Sequence, residues 1–281
     1  MTGTIVVGVT EASGSRRAVD WAAARAVARR QRLELLGVVG GVVGSVGEGE
    51  VVEAARDATR QLLEAEAERI AADGLAVSIR IEAGDPVSAL IAASKDATLL
   101  VIGSDYRGPG EGPARGSHGI RIVAGSSSPV AVVPDIDTDE ARRGVVVGVD
   151  GSAVSEAAIA FAASEADRLG EPLIAVIVWT PVSAPRNSVM VVPEAYRASM
   201  QQSAQEALSL SLAGLRGRYP DLVIEERVVE GFPSAVINRL AVGARLTVVG
   251  SHGRGVVRRF LLGSISHEIL QRLATVTVVV R

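Results

Sequence analysis

Leu173-Ile174-Ala175-Val176-Ile177-Val178 is apolar at every position. A strand with one wet face alternates, whereas an unbroken run marks a strand covered on both faces, as in a parallel sheet with helical crossovers. Outward from this run, the C-terminal half reads as strand 145–149, helix 153–169, strand 173–179, helix 194–216, strand 222–229, helix 233–241, strand 246–250, helix 264–273 and strand 276–280. Helix 153–169 sets Ala158, Ile159, Ala162 and Ala166 at helical spacing and leaves Glu156, Glu165 and Asp167 for water.

The N-terminal half is a second copy of this plan. Ile5-Val6-Val7-Gly8-Val9 recurs as Val145-Val146-Val147-Gly148-Val149. Ala97–Ser104 recurs as Ala244–Ser251, and Gly84-Asp85-Pro86 as Gly231-Phe232-Pro233. The first pair is offset by 140 positions and the other two by 147. The additional residues of the second copy therefore lie before Gly231, and the Thr180–Glu194 loop is the expected place. Between the copies, Pro134–Arg143 is charged, proline-led and without apolar period, as a linker should be. The expectation is an α/β protein of two tandem doubly wound, Rossmann-like domains, 1–134 and 143–281. Each would hold a five-stranded parallel sheet flanked by helices.

Composition narrows the function. The 281 residues are 48% apolar and 22% charged, with a formal net charge of −3, which describes an ordinary soluble protein. With no basic excess and 3% aromatic residues, a nucleic-acid partner is not expected. The longest membrane-like stretch, Leu35–Val46, falls short of the roughly 17–25 residues a spanning helix needs, so no membrane partner is expected. Cysteine is absent, which removes disulfides and thiolate metal ligands and fits a cytoplasmic protein. No leader-like start precedes Gly8.

In an open parallel sheet, ligands sit beyond the carboxyl ends of the strands where strand order reverses. Two loops of the second copy answer to that place. One is Asp150-Gly151-Ser152, after the first strand. The other runs from Gly250 through His252, Gly253 and Arg254 to Gly263-Ser264, which opens a helix. Glycines admit a ligand close to the backbone, and amides at a helix N-terminus favour an anion. This loop is therefore built for phosphate. Arg254, Arg258 and Arg259 add positive charge, and Asp150 is placed to accept hydrogen bonds from a ribose. His252 reads equally as a phosphate neighbour or a solvent-facing loop residue.

Val147–Ser152 together with Gly250-x2-Gly253-x9-Gly263-Ser264 resembles the ATP-binding branch of the universal stress protein family, and the similarity spans nearly the whole chain as two family domains. The resemblance implies that Asp150 meets the ribose and that the backbone near Val178 meets the adenine. It also implies that Gly250, Gly253, Gly263 and Ser264 wrap ribose and phosphates. Copy one departs from the pattern: Thr10 replaces the acid and Tyr106 the second glycine, although Gly103, Gly116 and Ser117 remain. Nucleotide binding is expected mainly in the C-terminal domain.

Other chemistries find no support in the sequence. The single lysine, Lys95, is followed by Asp96, so no phosphate-loop lysine exists. No nucleophile elbow occurs, and three scattered histidines make no metal site. No catalytic residue is assigned. The leading expectation is an ATP-binding regulator rather than an enzyme, with Mg2+ able to arrive on the phosphates. The rival expectations are a slow ATPase or phosphotransferase and a non-binding structural module. Family resemblance further implies a stress-response role, an as yet unnamed protein partner, and homodimerisation through the last strand, with the two copies forming an internal pseudo-dimer.

Overall fold

The computed structural model describes residues 3–40, 48–71, 74–106, 117–136, 141–181, 193–253 and 262–281. The chain divides into two compact units, Met1–Asp137 and Thr138–Arg281.

The N-terminal unit runs β1 (Thr4–Gly8), α1 (Ser13–Arg29), β2 (Arg32–Val39), α2 (Glu48–Arg69), β3 (Val77–Ala83), α3 (Pro86–Ala93), β4 (Leu99–Ser104), α4 (Ser117–Gly125) and β5 (Val130–Pro134). The C-terminal unit runs β6 (Val145–Val149), α5 (Ala153–Leu169), β7 (Leu173–Trp179), α6 (Glu194–Ser211), α7 (Leu215–Arg218), β8 (Ile224–Glu230), α8 (Pro233–Ala241), β9 (Leu246–Gly250), α9 (Ser264–Gln271) and β10 (Val276–Val280). Within the first unit the strands lie in the order β3-β2-β1-β4-β5, and within the second in the equivalent order β8-β7-β6-β9-β10. Every strand pairing within each unit is parallel. The expected α/β class and doubly wound parallel topology are what the structure has.

The order follows from burial. Val145, Val146 and Val147 of β6 and Leu173 and Ala175 of β7 are fully buried, so central strands carry apolar side chains on both faces. Burying one such valine or leucine side chain stabilises by about 1.5–3 kcal/mol. Helix α5 begins where Ser152 Oγ accepts the Ser155 N–H at 3.1 Å. It ends at Gly170, whose φ of 64° only glycine adopts without cost. Its buried face is Ala158, Ile159, Ala162, Ala163 and Ala166, as the spacing predicts. Glu165 departs from expectation. It is fully buried, and its Oε2 accepts hydrogen bonds from Arg168 Nε at 2.9 Å and Nη2 at 2.7 Å, so the carboxylate is held by an ion pair rather than by water.

The single helix predicted over 194–216 is broken. α6 stops at Ser211, Gly214 takes φ 87°, and a short α7 follows, because glycine there admits the left-handed turn. The connection preceding α6 is longer than its counterpart preceding α2, which accords with additional residues in the Thr180–Glu194 loop; residues 182–192 themselves lie outside the described set.

Candidate functional site

In the C-terminal unit the strand order reverses between β6 and β9, so the crossovers leaving these two strands cover opposite faces and open a crevice at their carboxyl ends. A cavity of about 310 Å³ occupies it, within the usual range of ~300–1,000 Å³ for ligand sites.

Asp150 follows β6 directly. Its Oδ1 accepts the Ser152 N–H at 2.9 Å, and its own N–H donates to Ser155 Oγ at 3.2 Å, so the carboxylate is held by a tight turn at the start of α5. Oδ2 faces Gly253: a Cβ built on Gly253 would lie 2.5 Å from it, closer than real Cβ contacts come. The acid and the glycine loop thus meet in one wall of the cavity. Gly250 is packed as tightly, since a Cβ there would lie 2.9 Å from Val154 Cγ1.

Helix α9 starts at Ser264, with Gly263 at its N-cap and no side-chain cap. The Gly263 amide is engaged internally, donating to the Ser251 carbonyl at 2.8 Å. That corrects the expectation that Gly263, at the helix N-terminus, offers its N–H to a phosphate, because the Ser251 carbonyl already holds it. Among the described residues, the amides of Ser264, Ile265 and Ser266 have no acceptor, as in any uncapped first helical turn, and all three residues line the cavity. Ser266 Oγ donates to the Gly250 carbonyl at 2.5 Å and fixes the helix start against β9. Three orphan amides and the positive end of the helix dipole make this corner anion-selective.

His252 also lines the cavity. Its Nδ1 shares a 3.0 Å hydrogen bond with Ser251 Oγ, and its buried Nε2 has no partner. Desolvation, followed by the nearby charge of Arg281, pushes its pKa below the usual 6.5, so the ring is neutral near pH 7. A buried ring nitrogen without a partner is a group that a ligand atom can satisfy.

Asp150, Val178, Gly250, His252, Gly253, Gly263 and Ser264 therefore surround a single space. Gly151 and Ser152 do not line it. Gly151 supplies the positive φ of 73° that the turn needs, and Ser152 caps α5. Arg254, like Arg258 and Arg259, lies outside the described residues. Missing from the sequence reading are Val176, Pro233 and Ile237, which form the apolar side of the cavity. Two signals could have found them: Val176 shares a strand face with Val178, and Ile237 stands one helical turn from Pro233.

The N-terminal counterpart keeps the scaffold and changes the site. Thr10 reproduces the turn, its N–H donating to Ser15 Oγ at 2.9 Å and its hydroxyl accepting the Ala12 N–H at 3.4 Å, but it brings no carboxylate. Gly14 stands where Val154 does. A Cβ on Gly103 would lie 2.5 Å from the Gly14 carbonyl carbon, against 3.6 Å from the Val154 carbonyl carbon for the matching Gly250. The end of β4 thus rests directly on the first turn of α1. Asp135 fastens that turn further, accepting from Ser13 Oγ at 2.6 Å and from Arg17 Nε at 3.0 Å. Tyr106 is tied to the same segment, its carbonyl accepting the Asp135 N–H at 3.0 Å. Gly116 lies outside the described residues.

Compared with known proteins, residues 1–134 and 141–281 each match the model of the universal stress protein family. A universal stress protein of Mycolicibacterium smegmatis is 33% identical over 289 residues, covering 99% of this chain and 96% of the relative. One from Mycobacterium tuberculosis is 34% identical over 290 residues, with the same coverage of each. Among solved structures, a universal stress protein from Archaeoglobus fulgidus superposes with a TM-score of 0.72 over 99% of this chain and 98% of that one. At 18% identity this is a likeness of fold.

Proposed function

The chain belongs to the universal stress protein family, and from that premise we propose that it is a stress-response regulator whose C-terminal unit binds an adenine nucleotide, ATP foremost. One observation carries the reading: the Asp150 carboxylate, the Gly253 backbone and the uncapped start of α9 enclose one cavity at the strand-order reversal.

The parts suit a nucleotide end to end. Val176, Val178 and Ile237 offer an apolar slot for a base. The Asp150 carboxylate accepts hydrogen bonds from ribose hydroxyls, and charge-assisted bonds of that kind contribute about 1.5–3 kcal/mol. The amides of Ser264, Ile265 and Ser266 receive phosphate oxygens. Gly253 leaves the room that any side chain would close. Among the described residues no cluster of His, Cys, Asp and Glu could hold a metal by itself, so Mg2+ would come bound to the phosphates and keep most of its waters. Bound nucleotide would bridge α9 to the end of β6, biasing the surface around α9 toward one arrangement that a protein partner could read.

Calorimetric titration of the whole chain with ATP tests this. Wild type should bind with measurable heat. Asp150→Asn should weaken binding about 10–100-fold, the factor that a lost charge-assisted bond implies. Gly253→Ala should weaken it at least as much, through collision with the acid. Absence of heat with wild type, together with no nucleotide in native mass spectra of fresh protein, would overturn the reading.

A further inference from the structure

Pro233 forms part of the cavity wall, and the residue before it breaks two rules at once. Phe232 is the N-cap of α8 but makes no side-chain cap, and it leaves 72% of its surface in water. The matching place in the N-terminal unit follows ordinary design. In Gly84-Asp85-Pro86, Asp85 Oδ2 accepts from the Ser88 N–H at 2.9 Å and from Ser88 Oγ at 2.7 Å. Aspartate is among the best N-cap residues, and an exposed phenylalanine gains nothing from burial. The C-terminal unit thus gives up a helix cap and exposes an aromatic ring at the same position.

The backbone at Phe232 is positioned by its neighbours. Gly231, at φ 155°, donates its N–H to the Trp179 carbonyl at 2.9 Å, and its own carbonyl accepts from Thr180 Oγ1 at 2.7 Å. The turn carrying Phe232 is therefore fastened to the end of β7, the strand whose Val176 and Val178 line the apolar side of the cavity. Phe232 itself is exposed and directly precedes Pro233, which lines that apolar side. The cavity is at the small end of the range for ligand sites, so a nucleotide with its phosphates at α9 is not fully enclosed. With its base in the apolar slot, the face turned outward would emerge on the side of Pro233 and the turn that precedes it.

We propose that Phe232 is an affinity-determining residue that covers the outward face of the bound base, an aromatic lid at the position where the N-terminal unit has a helix cap. This rests on the nucleotide reading above. Ring-on-base stacking is favourable for any planar heterocycle and tolerant of its hydrogen-bonding pattern, so Phe232 sets the strength of base binding, whereas the groups around Asp150 set the sugar.

Three variants of the whole chain, Phe232→Ala, Phe232→Asp and Phe232→Tyr, decide it by ATP calorimetry and thermal melting. Alanine and aspartate should each weaken ATP binding about 5–30-fold, the range expected for one stacked face. Tyrosine should bind as wild type does. Phe232→Asp should melt at or above the wild-type temperature, because it restores the cap seen at Asp85, so its lost affinity would not reflect misfolding. Alanine binding ATP within twofold of wild type would overturn the proposal, as would aspartate alone weakening it, which would mark simple charge repulsion. A wild type that binds no ATP fails the nucleotide reading itself and takes this one with it.

Discussion

Single atoms decide most of what the cavity can accept. A Cβ at 253 would lie 2.5 Å from Asp150 Oδ2, so any side chain there would have to push the acid out of its place. His252 contributes differently, through a ring kept neutral by desolvation and Arg281. Its pKa is lower folded than unfolded, so the unfolded chain takes up the proton first as pH falls. The stability this group contributes is full above pH 6.5, its unfolded value, and is lost as pH drops below that toward the folded value. Melting temperatures recorded between pH 7.5 and 5.5 should fall more steeply for wild type than for His252→Gln. Identical slopes would show that the ring titrates as it does in water.

Among elements, α5 shows how a cavity-lining residue and a structural cap share one short turn. Ser152 belongs to the Asp150-Gly151-Ser152 segment but is turned to the helix, accepting from the Ser155 amide. Ser152→Ala should cost about 1 kcal/mol in urea unfolding while changing ATP affinity by less than threefold. A large loss of affinity at unchanged stability would put the hydroxyl back on the ligand. Elements were also where the sequence was most readable. β6, α5, β7, α8, β9 and β10 begin and end where their apolar runs and caps say, because strands buried on both faces leave no ambiguity of period. What failed was local: the break at Gly214, the ends of β8 and α9, which differ from the expected 222–229 and 264–273 by one or two residues, and Glu165, whose burial depends on an arginine one turn away rather than on its own polarity. The residues of the site were readable wherever backbone chemistry demanded a type, as at Gly253. Val176, Pro233 and Ile237 escaped because apolar positions look alike until the fold says which face lines a crevice.

The molecule as a whole carries two copies of one plan with different contents. The N-terminal unit has the turn without the acid, and at its cap position Asp85 where the other has Phe232. Native mass spectrometry with excess ATP should therefore give one nucleotide per chain, and Asp150→Asn should bring that number toward zero rather than reveal a second site. Two equivalent ligands per chain would show that the first copy is complete by means other than an acid.

The approach of Gly103 to Gly14 has an evolutionary corollary. Both partners in that contact are main chain, so no change of rotamer relieves it, and neither glycine can take a side chain while β4 rests on α1. An aspartate placed at position 10 would face a first turn of α1 that lies closer to its strand than α5 does in the other unit and is held there by Asp135. Opening this half to a ligand by single substitutions therefore works against main chain, because α1 would have to retreat from β4 before any one change could be rewarded.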